Sequence, residues 1–282
     1  MQTQQHLSPS VAVLGLGIIG GTWARNLSAD GLLAAAWNRT PIAGFPCWKD
    51  TPAKAVAAAR VCIICVADPA AVASVIAQAA PALTPAHIIV QTSTIDPISS
   101  ARAAAAVRKT GARYVECPFT GSRPAAEARK TVFYQGGDPA ILAEVEPVLA
   151  RISQTRLHVG TEGQACAVKL SMNLQLAMQC EALCESLRFA RAAGVSDAIF
   201  FECLSRNIAR SGLTDLKEPK LRSGDYAPQF SAKHMHKDLR LALSSADAGS
   251  LPVIATLEKQ FAAVAAKGCA DEDFCALYKA LP

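Results

Sequence analysis

The sequence has no apolar run of the roughly 18 residues that a membrane-spanning helix needs. Its first ten residues, MQTQQHLSPS, lack the basic start and the apolar core of a secretory signal. Charged residues make up only 18% of the chain, and the net charge of +5 is not gathered into Lys and Arg runs with interleaved aromatic residues. We therefore expect neither a membrane nor a nucleic acid as a partner.

Cysteine is present, but not in the pattern of a disulfide framework. The ten cysteines are scattered over 282 residues, and several occupy apolar positions of predicted strands and helices. Cys62 and Cys65 form a C-x-x-C inside a predicted buried strand, which favours core packing over zinc binding or redox exchange. His234 and His236 face different sides of a predicted helix, which is poor geometry for one metal ion. We expect a reduced cytoplasmic protein that binds no metal.

The order of apolar segments predicts an α/β fold with two domains. Residues 11–159 alternate short apolar runs with Ala-rich helical segments, as in a parallel sheet covered by helices on both faces. From Gln164 to Gly194 the sequence contains no helix breaker and predicts one long helix. The predicted segments are a flexible N-terminus at 1–9, a Rossmann-type doubly wound, mostly parallel sheet at 10–162, and an all-α domain at 163–282 built on a long interdomain helix.

One connection in the first domain is unusually short. Only PIAGFP, residues 41–46, separates WNRT from CWKD, too few residues for the usual crossover helix. Either a tight connection replaces that helix, or CWKD is not a parallel strand.

A glycine-rich loop follows the first predicted strand directly. VAVL at 11–14 runs into Gly15, Gly17 and Gly20 in G-x-G-x-x-G spacing. Gly15 suits a tight turn, Gly17 leaves room for phosphates, and Gly20 lets the next helix pack closely with its N-terminal amides toward the anion. The candidate dinucleotide-binding residues of this loop are Gly15, Leu16, Gly17, Ile18, Ile19 and Gly20.

The second strand ends in Asn38-Arg39-Thr40 instead of the acidic residue that holds the ribose hydroxyls of NAD. A carboxylate there would repel a 2′-phosphate, whereas a guanidinium and a hydroxyl would bind one. These three residues favour NADP(H) over NAD. The alternative is an ordinary surface Arg at the end of a strand.

Lys169 and Asn173 lie four residues apart, and so on one face of the predicted long helix. A Lys in an apolar helix interior costs stability unless it is used or reaches solvent. Either Lys169 exchanges a proton with a substrate oxygen during hydride transfer while Asn173 orients it, or it is an ordinary boundary Lys. In the helix taken alone, the second interpretation is the stronger.

Six segments together resemble a known family, the β-hydroxyacid dehydrogenases, which include 3-hydroxyisobutyrate dehydrogenase and the glyoxylate/succinic semialdehyde reductases. The resemblance covers nearly the whole chain, in order and spacing. The segments are GLGIIG, WNRT, QTSTIDP, ECPFTGSRPAAEA, GQACAVKLSMN and KHMHKDLRLAL.

The resemblance implies a role for each matching residue. Lys169 falls on the catalytic Lys and Asn173 on its partner. Residues implied beside the cofactor are Val66, Ala67, Asp68, Thr94, Lys237 and Asp238. Residues implied beside the substrate are Ser93, Thr94, Thr120, Gly121, Ser122, Arg123, Phe230 and Lys237, with the backbone of 120–122 forming an anion-binding nest.

The chain departs from the family pattern around the substrate loop. Thr120 stands where the family often has Ser, and Ser122 stands where it often has Gly. Arg123 adds a charge beside this loop, and Arg129–Lys130 occupy a stretch that usually reads Gly-Thr. These differences bear on the identity of the substrate.

The expected function is an NADPH-dependent reductase of a small aldehyde or keto acid that carries a carboxylate, with Lys169 as general acid or base. One alternative is an imine reductase, whose cofactor half is similar but which usually lacks this Lys. Another is a catalytically silent dinucleotide-binding scaffold. Because the apolar surface of the long helix requires burial, we expect a homodimer or a dimer of dimers, assembled through the helical substrate-binding domain.

Overall fold

The structure, a computed structural model, describes residues 10–245 and 250–281. The segment 1–9, for which the sequence predicts flexibility, lies outside the described residues. The chain divides into two compact units, the first ending at Lys169 and the second beginning at Leu170. In the described ranges no helix combines the length and the apolarity needed to cross a membrane.

The first unit is built on a sheet with the strand order β2-β1-β3-β4-β5-β7-β6, and β8 pairs with β7. The strands β1 to β5 are parallel to one another, β7 runs antiparallel to β5 and β6, and β8 is parallel to β7. The prediction of a doubly wound, mostly parallel sheet is confirmed. The strands are β1 (Val11–Leu14), β2 (Leu33–Trp37), β3 (Val61–Ile64), β4 (Ile88–Gln91), β5 (Arg113–Glu116), β6 (Phe119–Thr120), β7 (Thr131–Gly136) and β8 (Ser153–Gly160).

The connection at 41–46 is tight and contains neither helix nor strand. Beyond it, Trp48 forms a single parallel bridge to Ala36 on the outer edge of β2. The Ala36 N–H donates to the Cys47 carbonyl at 3.0 Å, and the Lys49 N–H donates to the Ala36 carbonyl at 2.9 Å. Trp48 thus occupies the third strand position of a Rossmann sheet, reduced here to one bridge, and β1 and β3 flank the point where the strand order reverses.

Both faces of the sheet are buried. Along β1, Val11 and Val13 enter one hydrophobic cluster while Ala12 and Leu14 enter another, as the alternation of a strand requires. Four helices start alike, because Thr51, Asp68, Asp96 and Asp138 each accept a backbone N–H ahead of a Pro. The helices are α1 (Ile18–Ala29), α2 (Pro52–Val56), α3 (Pro69–Ala79), α4 (Pro97–Arg108), α5 (Arg123–Glu127) and α6 (Pro139–Leu149).

The described part of the second unit is helical around its own apolar cluster. The long helix α7 (Gln164–Ala192) begins in the first unit and ends two residues before Gly194, which has a positive φ of +80°. The elements that follow are α8 (Asp197–Ser205), α9 (Gly212–Ser223), α10 (Ala232–Ser245), α11 (Pro252–Ala266) and a 3₁₀ helix at Phe274–Ala280. An all-α region on one long helix was predicted, and it is confirmed.

Candidate active site

In the glycine loop after β1, a side chain at Gly15 or Gly20 would clash with other protein atoms, whereas a side chain at Gly17 would not. A Cβ on Gly15, whose φ is +103°, would lie 2.2 Å from the Cys65 carbonyl oxygen, and a Cβ on Gly20 would lie 2.1 Å from the Gly15 oxygen. A Cβ on Gly17 would meet nothing within 4 Å. Gly17 is also the N-cap of α1 and has no side chain to cap it. The open space and the uncapped N–H groups fit a pyrophosphate.

Asn38 links this loop to the end of β2. Its Oδ1 accepts the Leu16 N–H at 3.0 Å, and its Nδ2 donates to the Thr40 carbonyl at 2.9 Å. Arg39 and Thr40 are exposed, and within the described residues no carboxylate pairs with Arg39. The Asn38 side chain therefore holds the loop to the end of β2, and the side chains of Arg39 and Thr40 are exposed to solvent.

The loops after β3 and β4 are joined at the same edge of the sheet. The Ser93 hydroxyl, in a side chain that is only 2% exposed, accepts the Val66 N–H at 2.8 Å. Asp68 caps α3 by accepting the Ala71 N–H at 2.8 Å. The side chains of Ser93 and Asp68 thus help to build these loops. Of the other predicted residues, Val66 and Thr94 are half-buried and Ala67 is exposed.

The predicted carboxylate loop lies between β6 and α5. Thr120 ends β6, Gly121 has a φ of +126°, and Ser122 is the N-cap of α5 although its hydroxyl accepts no capping hydrogen bond. Arg123 follows and is exposed. Asn26 of α1 donates to the Ala126 carbonyl at 3.0 Å, which ties α5 to the helix that follows the glycine loop.

Arg129 is turned away from this loop toward the end of α1. Its guanidinium binds both carboxylate oxygens of Asp30, at 2.5 and 2.9 Å, and also the carbonyls of Asn26 and Arg151. The hydrogen bonds to Asp30 raise the pKa of Arg129. Among the unusual basic residues near the loop, Arg129 is therefore a structural clamp, whereas Arg123 and Lys130 are exposed.

Lys169 lies early in α7 and is buried, with 9% of its surface exposed. Most Lys side chains keep their charge in water, so this degree of burial is uncommon for a Lys. Lys217 of the second unit is also buried, and it pairs with Asp273 at 2.8 Å.

In the second unit, three predicted residues form one polar group. Asn173, on the next turn of α7, donates to Asp238 Oδ2 at 2.5 Å, and the Lys237 ammonium lies 2.9 Å from Asp238 Oδ1. Asn173 and Asp238 are both 2% exposed. Phe230 packs its ring against His234 and Phe274 in the apolar cluster of this unit.

The two cysteines of the C-x-x-C segment and the histidines of α10 are core or boundary residues. Burial raises the pKa of Cys62 to about 12 and that of Cys65 to about 11, so both remain thiols. His234 Nδ1 lies 2.8 Å from the Ser231 hydroxyl, and His236 Nε2 lies 2.8 Å from Glu258. Across the described residues, no group of three or more His, Cys, Asp or Glu side chains could hold a metal ion.

Two protein families match consecutive parts of the chain. Residues 10–160 match the NAD binding domain of 6-phosphogluconate dehydrogenase. Residues 163–281 match a family described as the NAD-binding region of NADP-dependent 3-hydroxyisobutyrate dehydrogenase.

Similar proteins cover nearly the whole chain. Glyoxylate/succinic semialdehyde reductase 2, chloroplastic, of Arabidopsis thaliana is 28% identical over 96% of this chain and 79% of its own length. An uncharacterized oxidoreductase of Synechocystis, slr0229, is 31% identical over 96% of this chain and 97% of its own. The structure of Mycobacterium tuberculosis 3-hydroxyisobutyrate dehydrogenase with L-serine superposes with a TM-score of 0.89, at 26% identity, over 97% of this chain and 99% of that one.

Proposed function

Because the chain belongs to the β-hydroxyacid dehydrogenase family, and is thus an oxidoreductase with a nicotinamide dinucleotide cofactor, we propose that it reduces a small carboxylate-bearing aldehyde or keto acid with NADPH. The reverse oxidation of the hydroxyacid is chemically available. One observation carries the proposal of a reductase rather than a silent binding protein, namely the burial of Lys169 in α7.

The preference for NADPH rests on the end of β2. Asn38 has no charge to repel a 2′-phosphate, and exposed Arg39 and Thr40 supply a guanidinium and a hydroxyl to bind one. The second matching family is also described as NADP-dependent. Gly15 to Gly20, the 66–68 loop, Thr94, Lys237 and Asp238 complete the proposed cofactor contacts.

In the proposed reaction, bound NADPH supplies a hydride to the carbonyl carbon. The Lys169 ammonium donates a proton to the oxygen on which negative charge develops, and Asn173 orients that exchange. The Thr120–Ser122 loop, with Arg123 beside it, holds the substrate carboxylate through N–H groups, hydroxyls and charge. Ser93, Thr94, Phe230 and Lys237 shape the rest of the substrate site.

We further propose that the protein is a cytoplasmic homodimer or a dimer of dimers. Phe189 on α7 is 78% exposed and Ile199 on α8 is 55% exposed in the single chain. A second subunit that covers these side chains would remove their apolar surface from water.

The test is NADPH oxidation with glyoxylate, succinic semialdehyde, methylmalonate semialdehyde, tartronate semialdehyde and a cyclic imine. We expect turnover of at least one aldehyde or keto acid, and a loss of about 10²- to 10⁴-fold in Lys169→Ala. A matched control is Lys109→Ala, an exposed residue at the end of α4. Turnover of the imine alone would favour an imine reductase, and NADPH binding without any turnover would favour a silent protein.

A further inference from the structure

Glu116, which has no role in the proposed reaction, is a fully buried carboxylate at the end of β5. Its Oε1 accepts the Ala165 N–H at 2.9 Å and the Cys166 N–H at 3.2 Å. Both amides belong to the first turn of α7, where N–H groups have no partner within the helix. Glu116 therefore caps α7 from a strand that lies 49 residues earlier in the chain.

The second carboxylate oxygen of Glu116, Oε2, also accepts two hydrogen bonds. The Cys166 thiol donates to Glu116 Oε2 at 3.3 Å, and the Ser100 hydroxyl of α4 donates to the same oxygen. Tyr114 lies 2.9 Å from the Ser100 hydroxyl. Burial raises the pKa of Cys166 and of Tyr114, so both groups remain protonated donors. Two backbone amides, one thiol and one hydroxyl thus converge on a single carboxylate.

The neighbouring strand leaves room for this arrangement. Gly136 of β7 pairs with Glu116 across the sheet. A Cβ on Gly136 would lie 2.8 Å from Glu116 Oε1 and 2.8 Å from the Thr161 carbonyl oxygen. The glycine is therefore required by the position of the carboxylate.

Glu116 joins the two parts of the first unit that the proposed reaction uses. On one side, the chain leaves Glu116 and reaches Thr120 of the carboxylate loop four residues later. On the other side, Lys169 follows Cys166 by three residues, about 4.5 Å along the helix axis. The carboxylate therefore fixes the start of α7 against the strand that leads into the loop.

We propose that Glu116 is a positioning residue that sets the height and rotation of the first turn of α7, and so the place of the Lys169 side chain relative to Thr120–Ser122. This inference rests on the proposed function, because it requires Lys169 to be the proton donor. A displacement of about 1 Å in a reacting group can cost about 10²-fold in rate. The two hydrogen bonds to the helix amides are well placed to prevent such a displacement.

The experiment compares Glu116→Gln with wild type. The amide group carries one acceptor and one donor, so it cannot accept all four hydrogen bonds. We expect kcat per bound NADPH to fall by about 10- to 100-fold, with KM for the substrate and Kd for NADPH within about twofold. The isotope effect with NADPH deuterated at the transferred position should rise, because the chemical step becomes slower. Without cofactor, the amides of 164–169 should exchange hydrogen faster.

The matched control is Glu162→Gln, which removes the same charge two residues before α7. Glu162 pairs with Arg108 instead of the Ala165 and Cys166 amides, which donate to Glu116. We expect this control to keep the wild-type rate and isotope effect. If Glu116→Gln does not fold, Glu116→Asp takes its place, because it keeps the charge but withdraws the carboxylate from the Ala165 and Cys166 amides by one methylene group. The same loss of kcat is expected, and a wild-type rate in folded Glu116→Asp would overturn the positioning role.

The outcomes separate this inference from the proposed function. Suppose that Lys169→Ala is inactive but that Glu116→Gln folds and keeps the wild-type rate and isotope effect. This result would overturn the positioning role of Glu116 and leave the proposed function standing. An equal loss in Glu162→Gln would also overturn it, because charge and not hydrogen bonding would then be the cause. Full turnover in Lys169→Ala would overturn the proposed role of Lys169, and the positioning role with it.

Discussion

Asn38 accepts a hydrogen bond from Leu16, with its side-chain oxygen 3.0 Å from the backbone nitrogen of the glycine loop. The same side chain donates to the Thr40 carbonyl. An Asp at this position could accept from Leu16 but could not donate to Thr40. A neutral amide therefore holds both segments in place and adds no negative charge where a 2′-phosphate would bind.

Arg39→Gln tests the cofactor preference that follows. We expect Kd for NADPH to rise by about 10- to 100-fold and Kd for NADH to change little, because a charge-assisted hydrogen bond to phosphate contributes about 1.5–3 kcal/mol. Fluorescence titration with both cofactors measures the two constants. The control is Arg102→Gln, an exposed arginine of α4. An equal loss of affinity for NADPH and NADH would show that Arg39 does not bind the 2′-phosphate.

The glycine loop offers a second comparison within one motif. Gly17→Ala should fold and lose at most about 1 kcal/mol of stability, because the added methyl group meets no protein atom but Ala is a poorer N-cap than Gly. It should weaken NADPH binding about tenfold or more, since the methyl group would occupy the proposed pyrophosphate space.

Gly15→Ala is the counterpart, and we expect it to lower the free energy of unfolding by about 2 kcal/mol or more. Its Cβ would lie 2.2 Å from the Cys65 carbonyl oxygen, and its φ of +103° is unfavourable for any residue with a Cβ. Urea unfolding measures both variants. If Gly17→Ala binds NADPH with wild-type affinity, the pyrophosphate does not bind beside Gly17.

Arg129 and Arg123 should differ in what they control. Arg129→Met removes the paired hydrogen bonds to Asp30 and should lower the free energy of unfolding by about 1–2 kcal/mol, with little effect on KM. Arg123→Met should leave stability unchanged and raise KM for the carboxylate substrate several-fold, because it removes one ionic interaction with that carboxylate. The reverse pattern would place Arg129 in the substrate site and make Arg123 structural.

The sequence predicted the fold where burial determines the pattern. Val61–Ile64 and Ile88–Val90 are continuous apolar runs because both faces of their strands are covered. The helix Gly212–Ser223 was not predicted, since its polar sequence contains Pro219, and tertiary packing of Leu213 and Leu221 stabilises it. The antiparallel edge at Phe119–Thr120 is too short to leave a periodic signal.

The predicted site residues came from a resemblance to a family, and the structure adds what each side chain bonds to. Spacing alone could not show that Ser93 is buried under Val66, or that Arg129 reaches back 99 residues to Asp30. Glu116 was not predicted as a site residue because a single carboxylate at the end of a strand carries no sequence signal. Its function depends on Ala165 and Cys166, which are distant in sequence.

A half-buried carboxylate in the second unit should make stability depend on pH. Glu181 of α7 accepts a hydrogen bond from Gln260 of α11 at 2.5 Å. Burial, together with the nearby Glu185, raises the pKa of Glu181 from its ordinary value of 4.5 to about 7. Between these values the folded chain binds more protons at this site than the unfolded chain does.

The stability contributed by this site is therefore complete below about pH 4.5 and is lost as the pH rises through about 7. We expect Glu181→Gln, which still accepts from Gln260 and cannot ionise, to flatten the pH dependence of unfolding between about pH 5 and pH 8. Above about pH 7 it should be more stable than wild type by roughly 1 kcal/mol, a value that allows for partial exposure. Thermal unfolding at several pH values measures this, with the exposed Glu202→Gln as control. Parallel pH curves for wild type and Glu181→Gln would show that Glu181 is ionised throughout this range.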